Sequence, residues 1–265
     1  MNFKILDKNY IILLLSYGFT AILIFGYNII LARHLGPYEF GIFSSCLAIV
    51  MFLSTYIRGV DEFIKNIFGL EKNDPYKWVS SLVNLIFLVT SLNIIFLIFW
   101  ALFAPHEITT QKILIILIFF MVGNVLIEFI KLILQIQNSF ITLSIFHIYP
   151  NLLKFLFLIS ILFFFNHLSI FDIAIIFSLI NLSAIIISYK TLLSFLSKGR
   201  KNFIDKKKYK KPKLFELINK SKNFIKSTFF FIFYAALDIF LLKYIIGGLA
   251  LGYFAAANVI IMGSY

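Results

Sequence analysis

Apolar residues in this chain come in blocks of about twenty or more, and that block length constrains the fold more than any other feature. A helix of about 20 apolar residues spans the hydrocarbon core of a bilayer. Seven full blocks and the start of an eighth fall at 10–32, 40–60, 79–103, 112–136, 140–165, 170–196, 224–246 and from 250 onward. Each must be helical, because lipid offers no partner to unpaired backbone N–H and C=O groups. The first block is too long and too polar at its end for a signal peptide, and no A-x-A site follows it, so it reads as a retained helix. With 61% hydrophobic residues, 34 of the 265 being Phe, no soluble domain hides this much apolar surface. The expected fold is an all-α polytopic membrane protein.

The net charge of +12 raises nucleic acid as a partner. Its distribution argues against that. With the N-terminus inside, Lys4, Lys8, Arg58, Lys65, Lys72, Lys77, Lys131 and the basic run around 190–226 all face the cytoplasm, whereas Arg33, Lys112 and Lys243 face the other side. Such an asymmetry is the positive-inside bias of a membrane protein with a cytoplasmic N-terminus. The run "KGRKNFIDKKKYKKPKLFELINKSKNFIK" then anchors to anionic inner-leaflet lipids, at about 1 kcal/mol per Lys or Arg near the surface. Cys46 is the single cysteine, which leaves no internal disulfide and no thiolate metal site. His34, His106 and His167 fall in loops without partners at metal spacing, so no metal and no cofactor is expected.

The outer loops "RHLGPYE", "APHEITTQ" and "FNHLSIFD" are too short to fold alone. The expected organisation is a six-helix bundle over 1–196, a basic cytoplasmic linker over 197–223, and the first helices of an incomplete second bundle over 224–265. An internal repeat supports it. "LARHLGPYEFGIFSSCLAIVM" (31–51) aligns without gaps to "LKYIIGGLALGYFAAANVIIM" (242–262), so that Gly36 meets Gly247, Gly41 meets Gly252 and Phe43 meets Phe254. Each copy ends one helix, turns at Gly and starts the next with small residues that favour close helix packing. Parallel repeats about an axis along the membrane normal are a transporter plan.

Ala32-Arg33, Leu35-Gly36-Pro37, Glu39, Phe40-Gly41, Gly59 and Lys65 together resemble the amino-terminal signature of the polysaccharide-biosynthesis, or O-antigen repeat-unit, flippases. These belong to the multidrug/oligosaccharidyl-lipid/polysaccharide exporter superfamily. "DIFLLKYIIGGLALGYFAAA", with Asp238 shortly before the Gly turn, resembles the seventh-helix counterpart. The resemblance implies a flippase in the bacterial cell inner membrane that carries polyprenyl-pyrophosphate-linked oligosaccharide by alternating access. Relatives of this kind carry twelve or fourteen helices, so the chain is expected to be a fragment or a broken gene.

Two spans carry charges where lipid would forbid them. Asn124, Glu128, Lys131 and Gln135 share one helical face, as do Ser144, His147, Asn151 and Lys154 on the next span. A tight turn near Ser139 makes the two spans an antiparallel hairpin, in which Asn124 levels with Lys154, Glu128 with Asn151, Lys131 with His147 and Gln135 with Ser144. Each charge near the bilayer centre costs about 2.5–3.5 kcal/mol. Two readings compete: a self-satisfied Glu128–Lys131 pair that holds the hairpin, or a wet face lining a cavity. Lys154 favours the second, since Glu128 cannot neutralise two lysines.

A surplus cation suits an anionic cargo, and the resemblance implies that the pyrophosphate meets Lys131 and Lys154, with Arg58 and Arg33 as further contacts. Asn124, Asn151, His147 and the other polar residues then meet sugar hydroxyls. Asp238 reads either as a site for H⁺ or Na⁺ coupling or as a structural residue paired with Lys243. The alternatives to a repeat-unit flippase are a multidrug or lipid II exporter, a polytopic enzyme of polysaccharide assembly, and a non-functional remnant. An enzyme would need acidic residues in sizeable outer loops, which are missing, so none is expected.

Overall fold

The computed structural model describes residues 8–54, 56–60, 62, 79–104, 107–164, 168–205, 218–219, 221–230, 233, 242 and 248–262. All regular structure among them is helical: α1 (Lys8–Ser54), α2 (Val79–Phe103), α3 (Ile108–Ile136), α4 (Phe140–Phe164), α5 (Ile170–Asp205) and α6 (Gly248–Met262). Among the described residues, five stretches are long and apolar enough to cross a membrane. The chain is an all-α, multi-pass membrane protein.

The first stretch, Ile11–Val60, is 50 residues long. At 1.5 Å per residue that is about 75 Å, more than twice a hydrocarbon core of about 30 Å. It is two crossings folded at Gly36. There the backbone leaves the helical region (φ 70, ψ 170), a left-handed conformation open to glycine, and Pro37 follows with the fixed φ that suits a first helical position. The expected loop over 33–39 thus shrinks to one non-helical residue.

Contacts along the two arms of α1 show that they run in opposite directions. In the second arm, Tyr38 Oη donates to Glu107 Oε2 at 2.7 Å, and farther along both segments Asn124 Nδ2 donates to Ser54 Oγ at 2.9 Å. The second arm therefore runs parallel to α3. In the first arm, Thr20 Oγ1 donates to the His147 carbonyl, and Gly26 lies against the Phe155 ring. The first arm therefore runs parallel to α4. Helices α3 and α4 are joined by a tight turn in which Asn138 takes φ 53, so they are antiparallel, and the arms of α1 must be too.

Packing partners differ from what the α3–α4 hairpin alone predicts. Helix α3 packs most heavily against α5, and α4 against α1, while α3 and α4 touch only lightly. Gly123 explains the first pairing: a Cβ there would come within 2.8 Å of the Asn181 backbone, so only glycine lets α3 and α5 approach this closely. The Ser178 hydroxyl, reaching the Ile116 carbonyl, ties the same pair. Helix α2 is pinned to the second arm by Tyr56 Oη against Thr90 Oγ1 at 2.6 Å and by Asn93 Nδ2 donating to the Leu53 carbonyl at 2.7 Å.

Helix ends also depart from the apolar blocks. Helix α3 begins at Ile108, before the expected 112, and α5 continues to Asp205, through the first part of the expected linker. Amphipathic and polar flanks can stay helical beyond the lipid-length core, since their carbonyls lose nothing to water. Large apolar side chains cover the outer surface, Ile186 at 80% exposure among them, as befits helices that face lipid. The organisation into two bundles and a linker falls partly on residues outside those described, including all of 206–217 and most of 234–247.

Candidate functional site

Lipid-facing helices leave their polar faces nowhere to go but inward, and here those faces converge. A cavity of about 480 Å³ lies between both arms of α1, α3, α4 and α5. Helix α3 contributes Asn124, Glu128, Lys131 and Gln135, the whole face predicted from their spacing. Helix α4 contributes His147, Asn151 and Lys154 from the opposite wall. Arg58 lines it as well, with Glu62 beside it. The two predicted faces thus line one cavity.

Lys131 and Glu128 form an ion pair on one helix, Nζ to Oε1 at 2.9 Å, and both stay part-exposed. The pair is satisfied within α3 and lines the cavity, and because both partners lie on one helix it does not tie the α3–α4 hairpin. Asn124 is held by Ser54, and Asn151 Nδ2 donates back to the His147 carbonyl at 3.3 Å. Pro150 sits in this stretch of α4 and withholds an N–H from the helix ladder. The first arm fastens to the same place, with Tyr17 against the His147 ring at 4.3 Å between centroids.

Lys154 is held differently. It is 5% exposed, and its Nζ lies 4.8 Å from the centre of the Phe120 ring and 5.3 Å from that of Phe177. No carboxylate pairs with it among the described residues. Aromatic faces attract a desolvated ammonium by about 0.5–2 kcal/mol each, which offsets part of the burial cost without cancelling the charge. Phe177 is itself fixed by edge contacts from Tyr27 and Phe43, at 5.7 and 5.6 Å. Asn181 completes this end. It is 1% exposed, and its Oδ1 has no hydrogen-bond partner among the described residues.

The cavity is graded. Arg58 and Glu62 are exposed where the lining meets the Ser139 end, while Phe120, Lys154, Phe177 and Asn181 are buried at its floor. Beyond the floor the Gly36 end is closed. Phe40, Phe43, Cys46, Leu114, Leu117, Ile173 and Ala255 of α6 form one apolar core there. Gly252 of α6 touches the backbone of Pro37, leaving no room for a Cβ.

Two predicted residues stand apart. Arg33 is exposed at the Gly36 end and does not line the cavity: charge alone suggested it, and the closed core separates it from the other cations. Asp238, with Lys243, lies outside the described residues. No group of His, Cys, Asp or Glu suited to a metal occurs among the described residues. Phe120, Phe177 and Asn181 were not anticipated. A lone Asn inside the apolar stretch "FSLINLS" is a signal of the same kind as Asn124, whereas nothing distinguishes two Phe among 34.

Helices of membrane-crossing length around a polar internal cavity define a multi-pass membrane protein. A family model described as polysaccharide biosynthesis protein matches residues 6–263, nearly the whole chain, and the chain belongs to that family. No curated protein and no solved structure gave a match.

Proposed function

We propose that the protein is a flippase for polyprenyl-pyrophosphate-linked oligosaccharide repeat units, that it moves the polar head through this cavity while the polyprenyl tail stays in lipid, and that it works by alternating access. The observation that carries the reading is the cavity's charge: Arg58, Lys131 and Lys154 against Glu62 and Glu128, inside a helical bundle of a polysaccharide-biosynthesis family. A surplus cation held away from water attracts a diphosphate and repels cationic drugs. Asn and Gln side chains around it suit sugar hydroxyls.

The positive-inside charge distribution supports the bacterial inner membrane with a cytoplasmic N-terminus, so the Ser139 end and the cavity mouth face the compartment where lipid-linked sugars are assembled. Anionic inner-leaflet lipids bind the basic run after α5, and coupling is to H⁺ or Na⁺. No bond-making chemistry is assigned to the lining. A drug exporter of the same superfamily would tolerate loss of the cations, and a lipid II exporter would fail to restore repeat-unit polysaccharide.

The test is complementation. Expression of the completed gene in a strain lacking its own repeat-unit exporter should restore surface polysaccharide, and Lys154→Ala should abolish it while membrane insertion stays normal. Normal surface polysaccharide in the Lys154→Ala strain would overturn the assignment.

A further inference from the structure

Side chains beside Gly36 fasten the closed end by two hydrogen bonds, and one of them exists only while an imidazole is uncharged. The Leu168 N–H donates to His34 Nε2 at 3.3 Å, which joins the end of the first arm of α1 to the residues just before α5. Past the turn, Tyr38 Oη donates to Glu107 Oε2 at 2.7 Å, which joins the second arm to the start of α3. Leu35 and Leu168 both pack on the apolar core that closes this end, so the His34 bond lies at the rim of that core.

The local sequence explains why Leu168 turns to His34. Ser169 and Asp172 cap α5 reciprocally: the Asp172 N–H donates to Ser169 Oγ, and the Ser169 N–H donates to Asp172 Oδ2 at 3.1 Å. That box leaves the Leu168 N–H, just outside the helix, to find its acceptor elsewhere. An imidazole nitrogen accepts a hydrogen bond only without a proton, and in the charged ring both nitrogens are donors. Imidazole is also the side chain that changes charge between about pH 5 and 8. The clasped state therefore binds one proton fewer than the released state. Falling pH favours release, by up to about tenfold for each pH unit.

Among the described residues, the other charged groups at this end are Arg33 and Glu39 of α1, Glu107 and Lys112 at the start of α3, and Asp172 of α5. The adjoining ends of α2, α4 and α6 bring none. Glu107 is engaged by Tyr38 and Asp172 by Ser169, while Arg33 and Lys112 are exposed to screening by solvent. His106 and His167 lie outside the described residues.

We propose that His34 is a proton-released clasp: neutral, it holds the first hairpin to the start of α5 and keeps the Gly36 end shut; charged, it lets that end open. With the cytoplasmic N-terminus proposed above, the proton comes from the outer compartment, and acidity there favours opening outward. The clasp acts whatever the cavity carries.

The experiment follows the purified chain in lipid nanodiscs by site-resolved hydrogen exchange and by maleimide labelling of Cys46, the single cysteine, which is buried in the closing core. Exchange at the Leu168 amide is expressed relative to an unstructured amide at each pH, and Cys46 labelling relative to His34→Gln at the same pH, which removes the intrinsic pH dependence of both reactions. From about pH 8 to about pH 5, Leu168 protection in wild type should fall about tenfold or more, and protection at Ile173 inside α5 should not change. His34→Gln, whose amide oxygen accepts the bond at either pH, should keep Leu168 protection constant, and His34→Phe should lack it at both. Asp172→Asn should keep the wild-type pH dependence. Cys46 labelling in wild type should match that in His34→Gln at the higher pH and exceed it about tenfold at the lower.

Constant Leu168 protection in wild type would overturn the proposal, as would an equal fall in His34→Gln, which would place the titrating group elsewhere. A Leu168 amide that loosens while Cys46 labelling does not rise would overturn it too, since the bond would then not govern closure. Should His34→Phe fail to insert, wild type against His34→Gln decides.

Discussion

The two ends of this bundle differ in what lines their interiors. At the Gly36 end, aromatic and small residues of α1 and α6 close into an apolar core in which Gly252 lies on the Pro37 backbone. At the Ser139 end, Arg58, Glu62, Glu128 and Lys131 leave a charged opening. The closed end is held by close approach, which fails abruptly when a methyl group is added. The open end also has apolar clusters and a close approach, of Gly59 to the Ile225 backbone, but its opening is lined by charged side chains, which rearrange at little cost when an anion competes. A bundle made this way has one closed end and one end with an open, charged lining.

The largest effect is expected where the closed end depends on a missing side chain. Gly252→Leu should lower thermal stability by about 1–3 kcal/mol through overpacking against Pro37, read as a fall in the melting temperature of the purified protein. An unchanged melting temperature would break the contrast between the ends.

At the open end, Glu128→Gln should leave stability nearly unchanged and raise pyrophosphate affinity about tenfold, or about 1.4 kcal/mol, because Lys131 loses its internal competitor. Weaker pyrophosphate binding in that variant would mean that Glu128 positions Lys131 for the cargo instead of competing with it. The smallest effect sharpens the point: Tyr38→Phe removes the hydrogen bond to Glu107 at the exposed rim of the closed end, and should change stability by no more than about 0.5 kcal/mol. A larger loss would make the rim, and not the apolar core, the source of closure.

Much of this was legible in the order of residues. Lipid-length apolar blocks located the crossings up to Ile187, and Leu35-Gly36-Pro37 marked the first hairpin, since a glycine before a proline permits a reversal that other residues resist. Helix ends were less legible, because α3 starts on the polar residues Thr109 to Lys112 and α5 runs past its apolar stretch. The spacing of Asn124, Glu128, Lys131 and Gln135 showed a common face, and His147, Asn151 and Lys154 showed another. Spacing tells which face a residue shares but not which helix that face meets. The preference of α3 for α5 depends on Gly123 touching the Asn181 backbone, a contact across distant parts of the chain. Arg33 illustrates the same limit in reverse, as a charge of the right sign at the wrong end.

The central claim is that the polar faces of α3 and α4 border a hydrated cavity and not acyl chains. Thiol accessibility tests it most directly. In a chain carrying Cys46→Ser, Asn151→Cys and Lys131→Cys should react with a charged, membrane-impermeant maleimide added from the cytoplasmic side, while Ile186→Cys and Phe119→Cys, on the lipid-facing surface, should not. Protection of both cavity positions from that reagent would contradict the account.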